Sequence, residues 1–179
     1  MDAPTPTIPA AELHYDYEPT HIPRELIALL CDEDFNTDTL AIGAEMEYEE
    51  CYAIWEEYKE AEDEGEYWQP DCIMGAVADY DNDGIDDLVL AAFSGTATCV
   101  YPLIFRIESG QRVKMPTQKG ESYGGGCTVI SYQEKNYIYR PTIDRAGSKM
   151  VEGFFLSYYE NGAELEILFV DCMITGICG

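Results

Sequence analysis

The sequence predicts an α+β domain: two N-terminal helices followed by an antiparallel β-sheet of about seven strands, one hairpin of which carries an acidic loop. Three observations lead there. Apolar residues recur at helical steps in two segments of the first third of the chain. After Cys72 the period switches to that of strands, with β-branched and aromatic residues in short runs between turn signals. The acidic loop itself stands between two of those runs.

Taken in order, residues 1–20 carry four of the nine prolines and no sustained period, which predicts an extended Pro/Thr-rich arm ahead of a single domain over 21–179. Pro23 suits a first helical turn, and Leu26, Ile27, Leu29 and Leu30 predict a short helix ending near Cys31 or Asp32. A second helix is expected from Ala44 to Glu60. Tyr48, Cys51, Tyr52, Trp55 and Tyr58 recur there at three- and four-residue steps, and Glu45, Glu49, Glu56, Glu57 and Glu60 take the other positions. The strands expected are Ile73–Ala78, Leu88–Phe93, Thr98–Ile107, Cys127–Tyr132, Tyr137–Pro141, Gly153–Tyr159 and Leu165–Val170. Turns are expected at Ser94-Gly95, Ser109-Gly110, Glu134-Lys135 and Asn161-Gly162; the last has the residue pair best suited to the positive φ angles of a type I′ hairpin.

Composition bounds the function. The 179 residues are 46% hydrophobic and include 14 Tyr, so a packed core is affordable and disorder of the whole chain is excluded. Asp and Glu number 35 against 10 Lys and Arg, a formal net charge of −25. Such a field repels nucleic-acid phosphates and anionic lipid and attracts divalent cations and basic proteins. No run approaches the roughly 18 apolar residues that span a bilayer. Seven cysteines without a CxxC pair argue against a zinc ribbon or a thioredoxin-like site, and Cys172 and Cys178 are the one pair close enough in sequence to suggest a local disulfide. The two histidines, His14 and His21, lie in or beside the arm, a poor position for a catalytic triad. Gly120, Gly124, Gly125 and Gly126 lack the flanking pattern of a phosphate-binding loop.

The chemistry-bearing segment is Asp79-Tyr80-Asp81-Asn82-Asp83-Gly84-Ile85-Asp86-Asp87-Leu88, which reads DxDxDGxxDL. A hard cation such as Ca²⁺ takes about six to eight oxygens at about 2.3–2.6 Å, and alternate residues of a tightly wound loop turn their side chains inward. Asp79, Asp81 and Asp83, the backbone carbonyl of Ile85 and Asp87 are the expected ligands, with Gly84 at the sharp bend. An EF-hand needs a Glu at its twelfth position, and here that position is Leu90. With strand-like flanks on both sides, the loop resembles the calcium loops of FG-GAP and integrin-α-type β-propeller blades, where DxDxDGxxDL connects adjacent strands. The resemblance covers about 15 residues and implies the same metal ligands; a single copy does not imply a propeller. Single loops of this type also occur in small bacterial surface lipoproteins, which the proline-rich arm and the acidity resemble.

These readings lead to the expectation of a Ca²⁺-binding, non-catalytic, extracytoplasmic binding or adhesion module, secreted or lipid-anchored, with a protein or carbohydrate ligand. The aromatic residues Tyr67, Trp68, Tyr123, Tyr137, Tyr139, Tyr158 and Tyr159 are candidates for its contact surface. Two alternatives come from other classes. One is an acidic inhibitor or immunity protein that neutralises a basic partner through the second helix and the acidic run after it, Glu62, Asp63, Glu64 and Glu66. The other is a glycan-acting hydrolase, which needs two carboxylates facing each other in a cleft.

Overall fold

A computed structural model describes residues 14–15, 18–61, 70–94, 99–115, 122–123, 126–146 and 149–171. In chain order these form β1 (His14–Tyr15), α1 (Arg24–Leu30), a 3-10 turn (Thr37–Thr39), β2 (Ala44–Glu45), α2 (Tyr48–Ala61), β3 (Cys72–Ala78), β4 (Asp87–Ser94) and β5 (Cys99–Glu108). There follow β6 (Gln111–Lys114), β7 (Ser122–Tyr123), β8 (Thr128–Tyr132), β9 (Lys135–Ala146), β10 (Lys149–Glu160) and β11 (Ala163–Asp171).

The expected α+β architecture is overturned. The described residues are mostly β, forming two antiparallel sheets, and the two helices among them are short and are not stacked ahead of one seven-stranded sheet. The first sheet has the order β1-β11-β10-β9-β8; the second has the order β2-β3-β4-β5-β6, with β7 also pairing β5. The strands expected at 73–78, 88–93 and 98–107 fall in the second sheet and the four later ones in the first. The reason lies in burial on two faces. In β4, Leu88, Leu90 and Ala92 pack toward α2 with Cys51, Ile54 and Trp55, whereas Val89 packs the other way with Val129, Ile138 and Tyr159 of the first sheet. In β5, Leu103 and Phe105 join the first group and Ile104 the second. A strand that is apolar on both faces needs a covering layer on each side, and one sheet backed by helices supplies only one.

Three core clusters follow from that arrangement. Leu26, Ile27 and Leu30 of α1 pack with Ile130, Tyr137, Phe154, Leu156, Leu168 and Val170 on the outer face of the first sheet. Ala78, Tyr80, Val89, Ile104, Val129, Ile138 and Tyr159 fill the space between the sheets. The stripe Cys51, Ile54, Trp55 and Tyr58 lays α2 on the outer face of the second sheet. Gly75 makes that approach possible, because a Cβ there would lie 2.8 Å from the Cys51 Sγ and closer still to Leu90. The helix begins four residues later than expected: Ala44 and Glu45 pair instead with Val77 and Ala76 as an edge strand.

The end of the arm is part of the fold. His14 and Tyr15 pair with Asp171 and Val170. The buried carboxylate of Glu166 accepts the amides of Thr20 (2.8 Å), His21 (2.7 Å) and Ile22 (3.0 Å), and the His21 ring stacks on Tyr158. Glu166→Ala orphans three amides at once and is expected to destabilise the protein by about 2–4 kcal/mol, read as a lower midpoint in urea unfolding. Asn161 and Gly162 adopt φ of 50° and 78°, as a type I′ turn requires, whereas the turn expected at Glu134-Lys135 sits one residue earlier, at Gln133-Glu134. The Cys172–Cys178 pairing and the aromatic pair Tyr67-Trp68 lie outside the described residues. Tyr137, Tyr158 and Tyr159 are core residues, so they are lost to any contact surface.

Candidate metal centre

The acidic loop joins β3 to β4 and is clamped against the first sheet by asparagines. The Asn82 side chain donates to the carbonyls of Tyr159 (2.9 Å) and Asn136 (3.2 Å) and accepts the Asn136 amide (2.8 Å). The Asn136 side chain donates to the Asp79 carbonyl (2.6 Å), and the Asn161 amide donates to the Asp81 carbonyl (2.9 Å). Asn82 takes the left-handed conformation at φ 59°, which a short amide side chain tolerates, and Gly84 takes it at φ 85°. A Cβ at Gly84 would meet nothing within 4 Å, so the backbone angle, and not space, calls for glycine.

Within this frame Asp79, Asp81 and Asp87 converge, with one carboxylate oxygen of each within 4.8 Å of the others. Two oxygens bound to one Ca²⁺ lie at most about 5 Å apart, twice the metal–oxygen distance, so the spacing fits a shared ion. Asp79 accepts the Asp83 amide at Oδ1 (3.1 Å) and the Gly84 amide at Oδ2 (3.0 Å). Asp81 accepts the Asp83 amide at Oδ1 (3.2 Å), and Asp87 accepts the Ile107 amide at Oδ1 (2.8 Å). Asp81 and Asp87 are fully buried, and the Oδ2 of Asp87 has no hydrogen-bond partner there. A buried carboxylate oxygen without a donor is costly, and a proton or a bound cation relieves it.

The remaining expected ligands are Asp83 and the Ile85 carbonyl. Asp83 does not join the three: its Oδ2 lies 3.0 Å from the Nη2 of Arg106 and its Oδ1 accepts the Ile85 amide at 2.8 Å. The Ile85 side chain is half exposed, and the group expected to ligate at that residue is its backbone carbonyl. Arg106, on β5, is the residue that sequence reasoning missed. Its Nε lies 3.0 Å from the Asp81 Oδ2 and its Nη1 3.2 Å from the Glu108 Oε1. Neither that Nε nor that Oδ2 makes a hydrogen bond, so the Asp81 contact is a charge pair without alignment. A cation flanked by Phe105 and Ile107, in a chain with so few, was the available cue.

Electrostatics follow from these contacts. Burial pushes the Asp87 carboxyl up to about 7, against the pull of the Ile107 amide. Burial also raises Asp81, with repulsion from Asp83 adding to it and Arg106 opposing it. The hydrogen bond from Arg106 holds Asp83 below the ordinary carboxylate range. Tyr80 is buried with its ring edge-on to Tyr159 at 5.2 Å and its hydroxyl unpartnered, and burial followed by the charge of Asp87 keeps that phenol protonated.

Fold and site together define a two-sheet antiparallel domain with a buried carboxylate cage suited to a metal ion. No protein family, characterised protein or solved structure matches the chain. Among the described residues no helix is long and apolar enough to cross a membrane.

Proposed function

We propose that this chain is a calcium-binding, non-catalytic binding module whose ion holds the β3–β4 loop in the form that the asparagines clamp to the sheet opposite. The single observation that carries the reading is the Asp87 Oδ2, fully buried and without a partner beside Asp79 and Asp81. Carboxylates select hard cations, and among these the DxDxDGxxDL spacing, which resembles that of FG-GAP loops, favours Ca²⁺ over Mg²⁺, whose small octahedral shell suits a flexible carboxylate loop poorly. The asparagine clamps give the ion a structural task, because holding the loop holds Asn82 and Asn136 across the two sheets.

The proposal extends to location. Sites of modest affinity, about 10⁻⁴–10⁻³ M, are filled where calcium is abundant, which favours an exported, surface-tethered domain that engages a protein or glycan. Calorimetric titration tests the reading: one Ca²⁺ per chain is expected, with Mg²⁺ weaker, and Asp81→Ala is expected to lose at least about tenfold in affinity. A wild-type protein that takes up no heat from Ca²⁺ and whose midpoint ignores it overturns the assignment. A second reading, an acidic inhibitor of a basic protein, is favoured by the exposed Glu45, Glu47, Glu49, Glu50 and Glu57 along β2 and α2. Tight binding of a basic partner that collapses with salt distinguishes it.

A further inference from the structure

We infer that Arg106 is a tethered counter-ion that sets the affinity of the cation site, competing with the bound ion for Asp81 and Asp83. The inference rests on the calcium reading and deepens it.

Both oxygens of Asp83 are engaged, one by the Arg106 Nη2 at 3.0 Å and the other by the Ile85 amide at 2.8 Å. An ion that Asp83 ligates therefore shares that carboxylate with the guanidinium, whose charge opposes it. At Asp81 the Arg106 Nε stands 3.0 Å from an Oδ2 to which its N–H is not directed. That oxygen keeps a free lone pair, yet an ion bound to it at about 2.4 Å sits against a positive charge. The guanidinium lies against Gly162, where an added Cβ would come within 2.5 Å of its Nη1 and 2.9 Å of its Cζ. Its way out is along the surface, toward the half-exposed carboxylate of Glu108, which already lies 3.2 Å from Nη1. Without metal, Arg106 offsets part of the cage's repulsion and preserves the loop; with metal, that same charge opposes entry. The site is thus tuned to respond to high cation concentration and to stay folded at low concentration.

Calcium titration of the wild-type chain, Arg106→Gln and Arg106→Lys separates the possibilities. Competition predicts that Arg106→Gln binds Ca²⁺ about tenfold or more tightly than wild type, at unchanged stoichiometry, with a lower metal-free melting midpoint and a larger gain on adding the ion. Arg106→Lys keeps a charge but has no planar fork to span two carboxylates, so it is expected to bind severalfold tighter than wild type and to fold where the glutamine variant fails. Equal or weaker binding in the lysine variant, or in a folded glutamine variant, overturns the proposal and makes Arg106 a residue that orients the ligands. Absence of binding in all three chains overturns the calcium reading itself, which is a separate result.

Discussion

Asp87→Asn is expected to abolish calcium binding and, at about pH 8 without metal, to leave the protein more stable than wild type by about 1–3 kcal/mol. Substitutions at a buried, hydrogen-bonded position ordinarily destabilise. Here the charge is what the fold tolerates badly: burial raises the Asp87 carboxyl to about 7, and its Oδ2 has no donor. Asparagine keeps an oxygen to accept the Ile107 amide, removes the charge and turns a donor toward the neighbouring carboxylates. Wild type, by contrast, gains RT ln(1+[L]/Kd) from the ion, about 2.7 kcal/mol at a hundredfold excess, or roughly 5–10 °C for a chain of this size. Scanning calorimetry of both proteins, in chelator and in calcium, checks the pair of signs. A variant less stable than wild type in chelator makes Asp87 an ordinary structural residue.

The second large effect is on pH. The folded-state value of Asp87, about 7, lies above its ordinary value of 3.8, so the folded chain binds the proton more tightly than the unfolded one. That contribution is fully present below the ordinary value and is lost as pH rises through about 7. The raised Asp81 acts in the same sense, and Asp83, held low by Arg106, acts in the opposite one, its contribution being lost only as pH falls below the ordinary carboxylate range. Metal-free protein is therefore expected to weaken from about pH 4 to pH 7, while calcium, which must displace the Asp87 proton, binds up to about tenfold more weakly for each pH unit below 7. Midpoints recorded over that range in chelator and in saturating calcium should diverge as pH rises. Parallel curves refute the linkage.

Much of the local structure was legible. The stripe from Cys51 to Tyr58 gave α2 and its buried face, short β-branched and aromatic runs between turn signals marked the seven longer strands, and Asn161-Gly162 gave its turn. The strands β1, β2, β6 and β7 were not legible, because two to four residues carry no period, and β6 is exposed throughout. The pairing of β2 with β3 was hidden for the same reason, and the helical pattern read from Ala44 ran through it. The division into two sheets had one cue that went unread: Leu88 to Ala92 is apolar without a break, the mark of a strand covered on both sides.

The site divides in the same way. Spacing grouped Asp79, Asp81, Asp83 and Asp87 with the Ile85 carbonyl, because carboxylates at alternate positions of a tight loop can turn to one side, and three of those carboxylates do converge. Tertiary structure alone decided that Asp83 is held by Arg106, that Asn136 and Asn161 of the other sheet clamp the loop, and that Asp87 is fully buried. Ligand spacing is a local property of consecutive residues, and the sequence carries it directly. Desolvation and long-range charge pairing depend on which distant surfaces meet, and here that is set by the packing of one sheet on the other.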